Sequence, residues 1–286
     1  MIAFTIQQLE CWTQIKSHTL RVWEQRYKAF SPKRNGRQHR LYEPDDIQRA
    51  LCLSLLTLHH SLTAQLAALP LSDLKARTRL LITASQPLTY HVVELLMAIV
   101  DNDADGFRQL LQANWHRVGG LVTLRKLILP FLQRLEDVWG SGLETVEEWA
   151  SSRVILEQHL VDCTDRLPSP WRMAERYMIV QAKPGGFQLL PQIAHYLLLS
   201  QGYAVARPVL HESAELTPEA LQSYRPKYVV AVLSGWPARS LVQSYIDQLV
   251  SLCTPAQVLL TGDRITGQDI SVPEGAGLLH RIEELI

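Results

Sequence analysis

The sequence predicts a mainly α protein that closes on an α/β domain. The order is an N-terminal winged helix-turn-helix, a middle helical bundle and a C-terminal doubly wound parallel sheet. Three observations carry this reading. Basic residues crowd the first forty positions, where two short helical patterns precede an Asn-Gly turn. Residues 71–165 show helical periodicity and no strand-like alternation. After Arg166-Leu167-Pro168-Ser169-Pro170, short apolar runs alternate with amphipathic helices. The expected domains are 1–72, 76–166 and 172–286, three modest parts in a chain whose 286 residues give room for about two domains of usual size.

Composition narrows the function classes. At 47% hydrophobic and 20% charged residues, the chain can bury more than one core. The longest apolar runs, such as 92–100, fall far short of the ~18 residues of a membrane span. No secretory signal is read, because an apolar core of about 7–15 residues is missing and acidic Glu10 comes early. Cys11, Cys52, Cys163 and Cys253 are scattered without a C-x-x-C pair. That spacing argues against a disulfide framework or zinc cluster and fits a reducing, cytoplasmic setting.

The formal net charge is zero, yet it is unevenly placed. Residues 1–70 carry nine Lys/Arg and five Asp/Glu, leaving 19 basic and 23 acidic residues beyond. From Lys16 to Arg40 eight basic residues face a single acid, Glu24. A local excess of this kind is the footprint of a polyanion-binding element, or simply of a solvated basic face.

The first helix is expected over 6–11, capped by Thr5, with Ile6 and Leu9 on one face. After a short turn, Ser17 is expected to cap a second helix through 19–26. There Leu20 and Trp23 share a core face and leave His18, Arg21, Gln25 and Lys28 outward. Asn35-Gly36 suits a tight hairpin turn, since both central positions of that turn need positive φ. A basic hairpin beside a recognition helix is a wing, able to lay Lys and Arg along phosphates. Pro44 then opens a helix with Asp45 and Asp46 at its positive end and Ile47, Leu51, Leu55 and Leu58 along one side.

The stretch IKSHTLRVWEQRYKAFSPKRNGRQHRLYEPDDI resembles the DNA-binding domain of the mercury-resistance regulator (MerR) family. The matching positions are Thr19, Leu20, Arg21, Trp23, Glu24, Arg26, Pro32, Arg34, Arg40, Tyr42 and Asp45–Asp46. His39 departs from the aromatic residue common before the Arg. The resemblance implies a DNA-binding set of Lys16, Ser17, His18, Thr19, Arg21, Trp23, Arg26, Lys33, Arg34, Arg37, Arg40 and Tyr42. Arg21, Trp23, Arg34, Arg40 and Tyr42 would meet phosphates or position the wing, with packing the alternative for Trp23, stapling of the wing for Tyr42 and an internal carboxylate such as Glu24 for Arg40, while His18 and Thr19 stand where base edges come within reach. It also implies an inverted-repeat duplex operator, a homodimer or homotetramer, and a contact with RNA polymerase.

The middle helices are expected over 75–84, 90–102, 105–115, 122–139 and 145–166, separated by Pro87, Gly106, Gly119-Gly120 and Gly140-Ser141-Gly142. Leu124, Leu127, Ile128, Phe131, Leu132 and Leu135 form a packing stripe. In the last third, strands are expected over 176–182, 203–208, 228–234, 257–261 and 275–279. Helices are expected over 188–201 and 239–252, with one opened by Thr217-Pro218 and a last one running to Ile286. Such a series places its site at the strand carboxyl ends.

Trp139 followed by Glu148 and Trp149 resembles the helical cap of cobalamin-binding modules, in which a Trp precedes a Glu-His pair. Here Trp149 takes the His place. The parallel sheet resembles the flavodoxin-like fold of those modules. Their first-strand loop reads Pro-Gly-Glu-x-His, with the His as lower axial ligand. In Lys183-Pro184-Gly185-Gly186-Phe187-Gln188, Gly186 stands at the Glu and Gln188 at the His. Ser234 and Gly262 fall in loops that would flank the nucleotide tail. An imidazole is a good ligand for a borderline transition metal and a carboxamide a weak one. His-on cobalamin coordination is therefore expected to be absent, and binding with the cofactor's own base retained is the alternative. The functional expectation is a sequence-specific DNA-binding transcriptional regulator with an oligomerisation or sensor module. A light- or ligand-sensing cobalamin regulator is the alternative, and a cobalamin-dependent enzyme subunit a further one. With no nucleophile–base pairing and no G-x-G-x-x-G turn, the chain is expected not to be an enzyme.

Overall fold

The computed structural model describes residues 3–34, 39–58, 62–83, 87–140, 147–181, 189–206, 216–233, 238–262, 264–265 and 269–285. The chain divides into two compact units, 1–156 and 157–286. Among the described residues no helix is long and apolar enough to cross a membrane.

The first unit begins with α1 (Ile6–Thr13), α2 (Ser17–Tyr27) and the two-residue strands β1 (Lys33–Arg34) and β2 (Arg40–Leu41). These strands pair antiparallel, Lys33 opposite Leu41 and Arg34 opposite Arg40, so the arms of the expected wing are present. Its Asn35-Gly36 tip and Arg37 lie outside the described residues. α3 (Pro44–Leu56) follows, then α4 (Ala64–Ala67), α5 (Leu71–Thr83), α6 (Leu88–Val100) and α7 (Ala104–Val118). Ile47, Leu51 and Leu55 are buried on α3, as their spacing demands. Leu58 departs from that expectation: it lies past the last helical residue and is 53% exposed.

The helix expected over 122–139 is continuous but not uniform. It runs as α8 (Gly120–Thr123), a π turn (Leu124–Ile128) and α9 (Leu129–Gly140). Pro130 is the second residue of α9 and has no amide hydrogen to give the carbonyl four residues back. A widened turn just ahead of it, closed by Leu129 N–H to Leu124 O, accommodates that gap. The packing stripe survives the interruption, with Leu124, Leu127, Ile128 and Phe131 fully buried. α10 (Glu147–Asp165) completes the helical series.

The second unit carries the parallel sheet. Its elements are β3 (Arg172–Gln181), α11 (Leu189–Ser200), β4 (Tyr203–Ala206), α12 (Pro218–Tyr224), β5 (Tyr228–Val232), α13 (Val242–Cys253), β6 (Gln257–Thr261) and β7 (Ala276–Leu278). The strand order is β4-β3-β5-β6-β7, every pair parallel. Renumbered within the sheet this is 2-1-3-4-5, the flavodoxin-like order. Alternation along β5 explains the two covered faces. Val229, Ala231 and Leu233 meet Ile246, Leu249 and Val250 of α13 in one core, while Val230 and Val232 are buried on the other side. Thr217 caps α12 through Ala220 N–H, with Pro218 at the first helical position. The helix expected at the end is only a 3-10 turn, Ile282–Leu285.

Gly262 follows β6 at φ 121°, and a Cβ there would strike the Leu233 backbone carbonyl. That carbonyl is held in place by Arg264 N–H at 3.1 Å, and Leu233 N–H is bonded to Thr261 O at 2.8 Å. Close approach of two strand ends therefore fixes this glycine without reference to any ligand. Gly275 also has a positive φ, 87°, but its nearest neighbour to an added Cβ is Val250 Cγ1 at 3.9 Å. Gly275→Ala should cost about 1 kcal/mol of backbone strain, and Gly262→Ala about 2–4 kcal/mol because overpacking is added. Equal shifts of the two variants in denaturant unfolding would contradict this ranking.

Candidate nucleic-acid interface

The interface is built from the turn between α1 and α2 outward. Thr5 and Gln8 form a reciprocal capping box that starts α1. At its other end Gln14 takes a left-handed conformation, φ 60°, and returns its N–H to Glu10 O at 2.7 Å. Arg134 of α9 donates from Nη1 to the Trp12 carbonyl at 3.0 Å, covering another carbonyl of the last turn.

Ser17 was expected to cap α2 and does not. It is the first helical residue, and Lys16 at the N-cap makes no side-chain capping bond. The Glu10 carboxylate does this work from seven residues earlier. Its Oε2 accepts the Ser17 hydroxyl at 2.5 Å and the Ser17 N–H at 2.9 Å, while Lys16 Nζ lies 3.1 Å from Oε1. A negative group thus sits at the positive end of α2 and also fixes the angle of the turn. These hydrogen bonds, the Ser17 hydroxyl foremost and Lys16 after the two Ser17 donors, hold the Glu10 pKa down at about 2.

α2 has two faces. Leu20 is fully buried and Trp23 is 8% exposed, so the indole packs inward. His18, Arg21, Gln25 and Lys28 are exposed, as is Arg26, and the first four follow helical spacing along one side. Thr19 and Ser17 are half-buried at the start of the helix. Arg26 lies over the Tyr27 ring, 5.3 Å from its centroid.

One carboxylate joins this helix to the wing. Glu24 accepts Arg40 Nε at 2.8 Å (Oε1) and 3.1 Å (Oε2), and Tyr42 Oη donates to its Oε2 at 2.9 Å. Tyr42 is fully buried, edge-on to Phe30 with ring centroids 6.2 Å apart, and its backbone pairs with Phe4 in both directions at 2.8 Å. Burial, then the Glu24 bond, pushes its phenol pKa upward. The carboxylate of Glu24 first raises the Arg40 pKa through the hydrogen bond they share. So of the residues expected to meet phosphates or position the wing, Trp23 and Tyr42 present no ring to an outside partner. Arg40 spends its Nε on Glu24. Lys16, Arg21, Lys33 and Arg34 stand exposed.

The base of the wing is tied to α3. Glu43 and Asp46 form a capping box there, Asp46 also accepts Ser31 N–H at 3.4 Å, and Lys33 Nζ pairs with Glu43. Sequence reasoning missed three of these parts: Glu10 as a remote cap, Arg134, and the Asp46–Ser31 bond. Only the Glu10 carboxylate had a signal in the sequence, as an isolated acid just before the basic run.

Of the residues read as cofactor-binding, Trp139 falls in α9 and Glu148 and Trp149 in α10. Their side chains, with Gly186, Gln188 and Ser234, lie outside the described residues. Gly262 is described and has the backbone role given above. Among the described residues no three His, Cys, Asp or Glu gather where they could hold a metal ion.

The fold and the exposed basic face define a winged helix-turn-helix domain at the head of the chain. Residues 4–57 match the family model described as MerR HTH family regulatory protein, so this domain is a helix-turn-helix of the MerR type. A comparison with curated proteins gives no match. Among solved structures, the chain is similar to the methanol:cobalamin methyltransferase complex from Methanosarcina barkeri at 13% identity and a TM-score of 0.33, over 76% of this chain and 90% of that one. It is similar to a cobalamin-binding protein from Desulfitobacterium hafniense at 13% identity and a TM-score of 0.32, over 62% of this chain and 84% of that one. Similarity at this level assigns neither ligand nor activity.

A carboxylate whose pKa is held low in the folded chain favours folding above its ordinary value and loses that contribution as it is protonated. Glu10→Ala is therefore expected to lower the melting temperature by a few degrees at neutral pH, with the deficit shrinking as pH falls from 4.5 toward 2. Calorimetric scans of both proteins across that interval measure it, and a deficit that stays constant contradicts the capping role.

Proposed function

We propose that this chain is a sequence-specific, DNA-binding transcriptional regulator that acts without enzymatic activity. In this reading α2 enters the major groove, with His18 and Thr19 toward base edges. Arg21, Lys33 and Arg34, with Lys16 and Arg37, meet the phosphates. The observation that carries the reading is the Glu24 clamp: it ties the wing to α2, so the exposed cations stand on a rigid frame. Phosphate contacts supply affinity and the helix face supplies choice of sequence. Two such domains related by a twofold axis read an inverted repeat. The chain then has three working parts at 1–72, 76–166 and 172–286, the last two serving oligomerisation or sensing.

Binding-site selection with the full-length protein, followed by fluorescence anisotropy on the selected duplex, tests this. Saturable binding with a steep salt dependence is expected. Arg21→Ala with Arg34→Ala should weaken binding to all sequences alike and reduce the salt slope by about 2. His18→Ala should shift sequence preference more than affinity. Glu24→Ala discriminates best. Removing an acid would tighten binding if charge alone mattered, whereas loss of the clamp should weaken it by about tenfold or more and lower stability by about 2 kcal/mol. Binding indifferent to operator sequence, or tighter in Glu24→Ala, overturns the reading.

The sensor part, as we read it, does not hold cobalamin through a protein imidazole. The donor set does not fit: Gln188 and Trp149 stand where the resemblance requires His. His195, the histidine nearest to Gln188 along the chain, is only 8% exposed, midway along α11. A carboxamide is a poor substitute. Hydroxocobalamin added to the protein should give no spectrum of histidine-for-base exchange. Such a spectrum, lost in His195→Ala, would reverse this part of the reading.

A further inference from the structure

Residues 157–286 carry ten Lys/Arg against thirteen Asp/Glu, yet four of the cations are gathered. Arg172, Arg176, Arg225 and Lys227 stand exposed at the amino-terminal end of the parallel sheet. A doubly wound sheet takes its ligand at the opposite end, outside the strand carboxyl ends. Here a ladder of rings crosses three strands. Tyr177 of β3 lies 4.9 Å from Tyr203 of β4 and 4.8 Å from Tyr228 of β5, centroid to centroid. A cation closes each end: Arg172 is 4.9 Å from the Tyr203 centroid and Lys227 is 5.0 Å from that of Tyr228. Polar bonds fix the same groups. Arg172 Nη1 donates to Tyr203 Oη at 2.7 Å, Arg176 Nη1 to the Tyr224 carbonyl at 2.9 Å, and Lys227 Nζ pairs with Glu175 at 3.0 Å. Each of these arginines keeps further N–H donors of its fork for an outside acceptor. Arg225 ends α12 in a left-handed turn, φ 51°. Beside this row Trp171 is 60% exposed and Met173 59%. Trp171 and Arg172 both give their N–H to Gly202 O, at 3.0 and 2.8 Å, so the backbone under the indole is pinned. Gly202 makes room for the ring, since a Cβ there would come within 2.2 Å of it.

We infer that this end of the sheet binds single-stranded nucleic acid, with phosphates on Arg172, Arg176, Arg225 and Lys227 and a base stacked on Trp171. A single-strand site needs two parts: fixed positive charge that follows the phosphates, and an open aromatic face for a base. The tyrosines are not that face, because their rings are spent on one another and on the cations. Their part is to hold the cations in a row across β4, β3 and β5. The open face is the indole of Trp171, which rests on the Gly202 backbone and presents the rest of its surface to water. A duplex would satisfy the cations, but its bases are already stacked on each other and must be unstacked before one can reach an indole. A run of carboxylates would satisfy them too and has no flat ring to offer. The basic face of α2 differs in kind, since its Trp23 is packed inward. The inference does not rest on the regulator reading.

The test uses the full chain and the fluorescence anisotropy of a labelled oligothymidylate about 15 nucleotides long, within the span of known single-strand sites. Saturable binding is expected, with a slope of log affinity on log salt of about −2 to −3, as three or four neutralised phosphates give on a single strand. Trp171→Ala should weaken binding by about tenfold and leave that slope unchanged. Arg225→Gln with Lys227→Gln should weaken binding and bring the slope about 1.4 nearer zero. An abasic strand of the same length should bind the wild-type protein about tenfold more weakly than oligothymidylate does, and should not tell it from Trp171→Ala. Melting temperatures report that the variants stay folded. Arg21→Ala with Arg34→Ala should leave the oligothymidylate affinity nearly unchanged; loss of binding there assigns the strand to the winged head and overturns the inference. Absence of binding, equal affinity for the abasic strand or for polyglutamate, or an affinity unmoved in Trp171→Ala overturns it as well. Operator binding is not measured in this titration, so the regulator reading can fail while this one stands, and the reverse.

Discussion

The geometry of the basic face depends on one half-buried carboxylate. Glu24 is the single acid between Lys16 and Arg40, and it holds the Arg40 guanidinium and the Tyr42 hydroxyl together. With 15% of its side chain exposed, and 26% of that of Arg40, the pair is screened by water less than a surface ion pair is. Its larger worth is positional. Two strands of two residues cannot hold a hairpin in place, because so short a ladder is marginal in water. Tyr42 anchors the returning arm in the core and Glu24 sets its angle to α2. Sacrificing one positive side chain to internal bonding gives the remaining cations a fixed arrangement.

The same logic recurs at the start of α2. An exposed Ser or Asp cap would have started the helix equally well. The remote Glu10 starts it and also ties it to the helix before, so one group sets both the helix end and the inter-helix angle. In both places an acid is placed among bases where it organises the basic surface without lying on it.

What the sequence revealed divides along a physical line. Elements written in local patterns were legible: Thr5 before α1, Pro44-Asp45-Asp46 at α3, Thr217-Pro218 at α12, and the apolar run of β5 with its parallel partners. That the sheet is parallel followed from the alternation of strands and helices, whereas its flavodoxin-like order was implied only by the resemblance to cobalamin-binding modules. Features that need a partner far along the chain were not. Ser17 looks like a cap, and only the folded turn reveals that Glu10 has taken that task. Leu58 continues an apolar spacing, but the helix has ended before it. The π turn was hidden because its residues keep the spacing of an ordinary buried stripe, although Pro130 was a visible hint. For the candidate site, the identity of the basic residues and the two faces of α2 were legible, and the choice of Arg40 between Glu24 and DNA was left open. Trp23, Arg40 and Tyr42 turn inward because burial and the Glu24 carboxylate compete for them.

Arg134 and Gln48 bear on a different matter. Arg134 lies largely away from water, which pushes its pKa down, and it donates to the Trp12 carbonyl. Gln48 is spent on Met97. The winged head therefore shares polar bonds, as well as apolar surface, with α6 and α9. Cut away from them, it would expose the flank of α3 and leave an uncovered helix end. As a portable module, the sort that recombination could graft onto an unrelated receiver, the head would have to carry those two helices with it.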